Sequence, residues 1–127
     1  MSNFQRKIIT SMTPTDLQQL QSNLKDCLIV VKFGAEWCGP CKAIKPTCEQ
    51  IVKSLPPRIV YSDIDIDDNM DLYVAFKNKR MVRGVPTILA FDTNKHRDQW
   101  YIPDFSVEGG DINAVKLFFE KCLYDKK

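Results

Sequence analysis

The sequence lacks the long apolar runs that would carry it through a membrane. Its longest runs, such as residues 28–31, fall far short of the roughly 18 residues that a membrane-spanning helix needs. An excess of one charge is also missing, because 18 Lys and Arg residues stand against 16 Asp and Glu residues, a formal net charge of +2. No basic stripe with interleaved aromatic residues is visible. We therefore expect neither a membrane nor a nucleic acid as a partner.

Histidine is nearly absent, and the number of cysteines is odd, so they cannot all form disulfides within the chain. The chain has one histidine, His96, and five cysteines, an odd count that argues against a disulfide-stapled secreted scaffold. The first residues also lack an apolar export segment followed by a small-residue cleavage site. We expect the chain to work in a reducing, cytoplasmic compartment.

The length and patterning predict one α/β domain over residues 1–127. A chain of 127 residues with 44% hydrophobic residues suits a single core. Strand and helix patterns alternate along it, which is typical of an α/β sandwich. Predicted strands cover residues 6–10, 27–33, 58–67, 85–91 and 99–102. Predicted helices begin at a Thr13-Pro14 cap, at Cys38, at Asp68 and at a cap on Asp111; the second is interrupted by Pro46 and ends at Pro56-Pro57.

Two cysteines, Cys38 and Cys41, flank Gly39-Pro40 at the predicted start of the second helix. There the unpaired backbone N–H groups and the helix dipole favour the thiolate of Cys38, which we place in the first turn. Cys41 lies about one turn later on the same face, within reach of a disulfide. Pro40 stiffens this loop and Gly39 keeps it unhindered. The spacing predicts a redox dithiol with Cys38 exposed and Cys41 buried. Half of a zinc site is the alternative, although a second cysteine pair is missing.

The residues around this pair form the motif Trp37-Cys38-Gly39-Pro40-Cys41, and a second motif, Arg83-Gly84-Val85-Pro86-Thr87, follows later in the chain. With Pro46 and Ile66-Asp67, these motifs make the chain resemble the thioredoxin family over nearly its whole length. The resemblance implies the thioredoxin fold, an α/β architecture in which a central mixed β-sheet is flanked by about four helices.

The resemblance also implies protein disulfide reduction, a thiol–disulfide exchange that needs no cofactor. Cys38 is implied to attack a substrate disulfide as the nucleophile, and Cys41 to resolve the mixed disulfide that results. The implied partners are disulfide-containing proteins and a thioredoxin reductase, and we expect a monomer.

Five residues are implied to meet the substrate. Trp37, Gly39 and Pro40 lie on the dithiol loop, where the indole of Trp37 would form a flat apolar wall. Val85 and Pro86 come from the second motif. If the Val85–Pro86 bond is cis, Pro86 would lie against the dithiol and leave the Val85 backbone to pair with an extended substrate.

The chain departs from the family at Lys32, where thioredoxins usually carry a buried aspartate that helps the second cysteine to lose its proton. Aligning the strands puts Asp63 where the family commonly has a lysine. We predict an inverted buried pair of Lys32 with Asp63 that transfers protons for Cys41. The alternative is that Lys32 extends to solvent and Asp63 stays solvated.

Two further departures concern space near the dithiol. Gly34 stands where many family members carry a tryptophan, and this should open room beside the active site. The segment between Pro86 and Gly109 is longer than is usual in the family and concentrates aromatic residues at Trp100, Tyr101 and Phe105. We interpret them as apolar cover, with a substrate-facing loop as the alternative.

Other functions stay open on the sequence alone. Thiol oxidases and isomerases share related folds, but Gly39-Pro40 between the cysteines favours a reductase. A binding subunit with incidental redox chemistry is the other alternative. Three remaining cysteines, Cys27, Cys48 and Cys122, are expected to be structural, and no metal site is expected.

Overall fold

The computed structural model describes residues 6–124, which contain four helices and four strands. In chain order they are α1 (Pro14–Asn23), β1 (Leu28–Gly34), α2 (Gly39–Val52), β2 (Ile59–Asp65), α3 (Met70–Asn78), β3 (Thr87–Asp92), β4 (Phe105–Glu108) and α4 (Ile112–Tyr124). The strands form one mixed sheet in the order β2-β1-β3-β4. The predicted α/β fold, a central mixed sheet with four helices, is confirmed.

Strand β1 is a central strand of the sheet, between β2 and β3, and every residue in it is buried. It runs parallel to β2 and antiparallel to β3, which in turn pairs antiparallel with β4. The nearly continuous apolar run of β1 is explained by helices on both faces of the sheet. Helices α1 and α3 cover one face, and α2 and α4 cover the other. The exception in this run, Lys32, lies opposite Asp63 of β2.

The helix starts follow the predicted caps. The Thr13 hydroxyl accepts a hydrogen bond from the Asp16 N–H at 3.0 Å, and the Asp16 carboxylate accepts one from the Thr13 N–H at 2.9 Å. This reciprocal pair satisfies two N–H groups that the helix leaves unpaired. The Asp111 carboxylate likewise accepts from the Asn113 N–H at 2.9 Å. Both helices therefore begin where the sequence predicts.

The predicted first strand over residues 6–10 is wrong, because the segment makes only one bridge to the sheet. Ile9 donates to the Tyr61 carbonyl at 3.1 Å and accepts from the Asp63 N–H at 2.8 Å. The Arg6 side chain instead donates to the Leu55 carbonyl at 2.6 Å, in the segment that precedes β2. The chain crosses the sheet edge at a single residue before it reaches the cap of α1.

The predicted strand over residues 99–102 is also wrong, and the last strand is β4. Residues 99–102 form a turn in which the Ile102 N–H donates to the Gln99 carbonyl at 3.2 Å. Pro103 has no N–H to continue a ladder, and pairing starts when the Asp104 N–H donates to the Ala90 carbonyl at 2.8 Å. The other predicted bounds shift by a few residues; α2, for example, ends at Val52 rather than at Pro56.

The long segment before β4 covers the core, as predicted. The Trp100 ring packs edge-on against Phe76 of α3, with 5.4 Å between ring centroids, and Tyr101 stacks edge-on against Trp100. Phe105 packs on Phe118 of α4, on the opposite face of the sheet. These aromatic side chains face the interior, so the alternative of a substrate-facing loop is not favoured.

Candidate active site

The two cysteines of the first motif form a disulfide at the start of α2. Cys38 and Cys41 are bonded to each other, with 5.2 Å between their Cα atoms. Cys38 is the residue that caps α2, and its Sγ accepts a hydrogen bond from the Cys41 N–H at 3.2 Å. The cap lies one residue before the first turn predicted for Cys38. A thiolate on Cys38 would be stabilised there by the unpaired N–H groups of the first turn.

The predicted difference in exposure between the two cysteines is absent from this oxidised form. Cys38 is 5% exposed and Cys41 is 6% exposed. Gly39 and Pro40 extend outward into solvent while the bridge brings both sulfurs inward. The position at the helix start, rather than exposure, distinguishes Cys38 from Cys41. Their roles as nucleophile and resolving thiol stay a prediction.

The second motif lies directly against the dithiol. The Val85–Pro86 peptide bond is cis. The Val85 carbonyl oxygen is 3.6 Å from the Cys38 Sγ. The loop is held by a hydrogen bond from the Gly109 N–H to the Pro86 carbonyl at 2.9 Å. Strand β3 therefore begins beside the sulfur atom assigned to the nucleophile.

Trp37 lies on the surface in front of the dithiol. Its side chain is 66% exposed, and its Nε1 donates to the Asp67 carboxylate at 2.9 Å. The hydrogen bond fixes the orientation of an otherwise free indole. Asp67 follows β2, and its position in the sequence matches the family pattern without indicating any contact with Trp37.

The close approach of Gly110 to Pro40 is a second contact that the sequence does not predict. A Cβ atom on Gly110 would lie 2.9 Å from the Pro40 Cβ, closer than carbon atoms pack without a shift. Gly110 therefore lets the start of α4 approach the dithiol loop. Only the tertiary structure brings these two distant positions together.

Lys32 and Asp63 form the predicted ion pair, but the pair is not buried as a whole. The Lys32 Nζ is 3.3 Å from the Asp63 Oδ1, and their side chains are 8% and 49% exposed. Lys32 points inward from the central strand, whereas Asp63 lies on β2 at the edge of the sheet. The structure thus corrects the prediction of a buried pair to a buried amine with a half-exposed carboxylate.

Lys32 and Cys41 border the same space beside Gly34. A Cβ atom on Gly34 would lie 3.6 Å from the Lys32 Nζ and 3.6 Å from the Cys41 Sγ. A tryptophan at this position would fill the volume between the amine and the sulfur. The open space predicted from Gly34 is present, and it exposes the Lys32 charge to Cys41.

The remaining cysteines are not in disulfides. Cys48 and Cys122 are buried and Cys27 is half-buried. Burial raises the pKa of the Cys48 thiol, and the nearby Lys32 charge opposes only part of that shift. A thiol that stays protonated is a poor nucleophile at neutral pH.

We expect Cys48 to resist alkylation in the native protein. Iodoacetamide should label it at least about a hundredfold more slowly than in the denatured chain, because both burial and protonation protect it. Peptide mapping after timed labelling at neutral pH measures this. The half-buried Cys27 serves as the internal control, and native labelling of Cys48 at the rate of Cys27 would contradict the prediction.

Buried Tyr61 makes the stability of the fold depend on pH in the alkaline range. Burial raises the pKa of its hydroxyl far above the ordinary value of 10.0, and the Asp63 carboxylate adds to the shift. At pH values above 10.0, the ordinary pKa of tyrosine, the unfolded chain loses this proton while the folded chain keeps it. Unfolding therefore becomes more favourable as the pH rises. We expect thermal stability to fall as the pH rises above about 10, and to fall less steeply in Tyr61→Phe. An equal fall of the melting temperature with pH in wild type and Tyr61→Phe would contradict this.

The described residues offer neither a cluster of metal ligands nor a membrane-spanning helix. Within residues 6–124, no group of three or more His, Cys, Asp or Glu side chains is placed to hold a metal ion. Among the helices of the same range, none is long and apolar enough to cross a membrane.

Comparisons with known proteins identify the family. A family model described as Thioredoxin matches residues 9–103. The mitochondrial thioredoxin of Mus musculus is 35% identical over 121 residues, which are 95% of this chain and 58% of that protein. Thioredoxin H4-2 of Oryza sativa subsp. japonica is 32% identical over 92 residues, 72% of this chain and 66% of that protein. The chain thus spans little more than half the length of the mitochondrial relative.

Solved structures agree in fold. A Plasmodium falciparum thioredoxin superposes with a TM-score of 0.65 at 27% identity, over 91% of this chain and 97% of that one. For Fasciola hepatica thioredoxin the TM-score is 0.68 at 25% identity, over 89% and 98%. Since the family model covers most of the chain and includes both motifs around the Cys38–Cys41 disulfide, the chain belongs to the thioredoxin family.

Proposed function

We propose that the chain is a protein disulfide reductase, a thiol–disulfide oxidoreductase that works through Cys38 and Cys41. The observation that carries the proposal is a bridged cysteine pair at the N-terminus of α2, with the Cys41 N–H on the Cys38 sulfur and the Val85 carbonyl beside it. Such a pair can exchange two electrons with another disulfide without a cofactor.

The reaction proceeds in two exchanges. In the reduced chain, the Cys38 thiolate attacks one sulfur of a substrate disulfide, a mixed disulfide forms and the other substrate sulfur leaves as a thiolate. The Cys41 thiolate then attacks the Cys38 sulfur, which releases the second substrate thiolate and re-forms the Cys38–Cys41 bridge. The substrate disulfide is reduced by two electrons and the chain's dithiol is oxidised.

Five residues form the proposed docking site for the substrate. Trp37, Gly39 and Pro40 are exposed on the dithiol side of the molecule. Val85 and Pro86 present backbone next to Cys38, where an extended substrate segment can pair with the Val85 peptide groups. This arrangement favours unfolded or loop disulfides over disulfides buried in a core.

Lys32 and Asp63 serve the second exchange in this proposal. The Lys32 ammonium faces the sulfur of Cys41 across the space at Gly34, so its charge favours the thiolate that must attack. Asp63 holds Lys32 in place and, being half-exposed, can pass the Cys41 proton to solvent through a water molecule. The charge of Lys32 thus favours the Cys41 thiolate, whose formation a buried carboxylate usually assists in thioredoxins.

Turnover requires a reductant, for which we propose a thioredoxin reductase, and the working unit is a monomer. The proposed location is the cytoplasm. The Mus musculus relative is a mitochondrial thioredoxin by name. Cell fractionation distinguishes the two: recovery with the soluble cytosol supports the proposal, and recovery with mitochondria contradicts it.

Reduction of insulin disulfides with dithiothreitol as the reductant tests the function. The chain should speed the reaction, and Cys38→Ser should lose that acceleration by about three orders of magnitude or more, because the nucleophile is gone. An oxidase or isomerase would instead show a reduction potential well above that of a reductase. A binding subunit would leave the rate of insulin reduction unchanged.

A further inference from the structure

A pocket of about 640 Å³ opens beside the second cysteine of the disulfide. Its lining includes Cys41, Gly34 and Lys32, but neither Cys38 nor Val85. The substrate side of the dithiol, where Cys38 meets the Val85 carbonyl, is therefore a different surface. The Cys38–Cys41 bond can be approached from two directions.

Gly34 is the residue that opens this second approach. A Cβ atom there would lie in ordinary contact, 3.6 Å, with both the Cys41 Sγ and the Lys32 Nζ. Any side chain longer than alanine would extend into the space that leads to the sulfur. The absence of a side chain at Gly34 thus leaves Cys41 accessible to a small molecule, although it is 6% exposed overall.

Attack on the Cys41 sulfur is also chemically favoured once access exists. The rate of thiol–disulfide exchange rises with the stability of the thiolate that leaves. Here the leaving thiolate is Cys38, which caps α2 and accepts the Cys41 N–H at 3.2 Å. The Lys32 ammonium beside the attacked sulfur would attract an incoming thiolate.

From these observations we propose that small thiols reduce the disulfide by attacking Cys41 through the Gly34 pocket. The incoming thiolate bonds to the Cys41 Sγ, the Cys38–Cys41 bond breaks, and its electron pair stays on Cys38. A second small thiolate then attacks the small-thiol sulfur of this mixed disulfide, which releases a small disulfide and the Cys41 thiolate. Two thiols are oxidised as the protein disulfide is reduced, so the pocket is a reductant site for the proposed function, on which it rests.

The lining specifies the class of thiol. Side chains of both signs surround the pocket, among them Lys32, Lys42 and Lys45 and the carboxylates Glu36, Asp65 and Asp68. Amino-acid and short-peptide thiols carry both an ammonium group and carboxylates, so they can pair with both. An uncharged thiol of similar reactivity has no charged groups that could pair with these side chains.

The first test asks whether Cys41 is accessible to a peptide thiol. Cys38→Ser is incubated with oxidised glutathione, and the adducts are located in the tryptic peptide over residues 33–42. We expect a glutathione adduct on Cys41, formed at a rate within about tenfold of that on Cys38 in Cys41→Ser. Absence of the Cys41 adduct in the native protein, when the denatured chain forms it, overturns the proposal.

The second test closes the pocket in the intact disulfide. Reduction of the oxidised chain by glutathione is compared in wild type, Gly34→Trp and the matched control Gly34→Ala. We expect Gly34→Trp to slow it by about tenfold or more, because attack on a disulfide tolerates little displacement, and Gly34→Ala to stay within about twofold. An unchanged rate in a folded Gly34→Trp overturns the proposal. Gly34→Met replaces it if circular dichroism shows that the tryptophan variant does not fold.

Two comparisons complete the design. The uncharged 2-mercaptoethanol should be slower than glutathione with wild type, after correction for their rates with a small model disulfide; equal corrected rates would contradict the assigned thiol class. Insulin reduction by wild type that has been reduced and freed of reductant tests the proposed function by itself. Insulin reduction without the Cys41 adduct overturns only the pocket, and the adduct without insulin reduction overturns only the proposed function.

Discussion

Replacing Cys41 with serine is expected to trap the chain in mixed disulfides with its protein substrates. Cys38 can still attack and become linked to the substrate, but the sulfur that would resolve the link is gone. The trapped species should appear as bands on a non-reducing gel that disappear on reduction. Mass spectrometry should place the link on Cys38, the cap of α2.

The matched control is the double variant Cys38→Ser/Cys41→Ser, which retains Cys27, Cys48 and Cys122. It should capture no more than background, because two of these thiols are buried and the third is only half-buried. Capture by the double variant at the level of Cys41→Ser would contradict the assignment of Cys38. Links on Cys48 or Cys122 would do the same.

The Lys32–Asp63 pair should show unequal costs when its members are removed singly. Asp63→Asn leaves a buried ammonium without its carboxylate, whereas Lys32→Met leaves a carboxylate that is already 49% exposed. We expect Asp63→Asn to be the more destabilising change, with a coupling of about 0.5–1 kcal/mol, a modest figure because half of the pair faces solvent. Chemical denaturation of the four proteins of the cycle gives the coupling.

The same cycle has a larger effect on activity. Lys32→Met should slow the resolution of the mixed disulfide by about tenfold or more at neutral pH, because the Cys41 thiolate loses its neighbouring charge. The loss should shrink as the pH rises and Cys41 ionises without help. A merely structural lysine would give a loss that does not change with pH. Coupling near zero in both stability and rate would show that Lys32 and Asp63 act independently.

Local features of the fold were predictable because local chemistry decides them. The Thr13-Pro14 cap, the covered strand β1 and the helix that begins at the dithiol each depend on a few adjacent residues. The register of Lys32 with Asp63 followed from aligning two strands with the family pattern. The first three features depend on neighbouring residues, and the register of Lys32 with Asp63 depends on comparison with the family pattern.

Features that depend on long-range packing were not predictable. Residues 99–102 have a composition typical of a strand, yet Trp100 turns inward onto Phe76, and Pro103 delays the pairing that forms β4. The exposure of Asp63 depends on β2 being an edge strand, which sequence spacing does not reveal. The contact of Gly110 with Pro40 joins positions that only the folded chain brings together.

The most direct test of disulfide exchange through Cys38 and Cys41 is a single-turnover reaction with a counted product. The chain is fully reduced, freed of reductant and mixed with excess insulin, and its cysteines are mapped after the reaction stops. The proposed mechanism predicts one substrate disulfide cleaved per chain, a re-formed Cys38–Cys41 bridge, and Cys27, Cys48 and Cys122 still present as thiols. Intact insulin, or oxidation that falls on the other three cysteines, would contradict it.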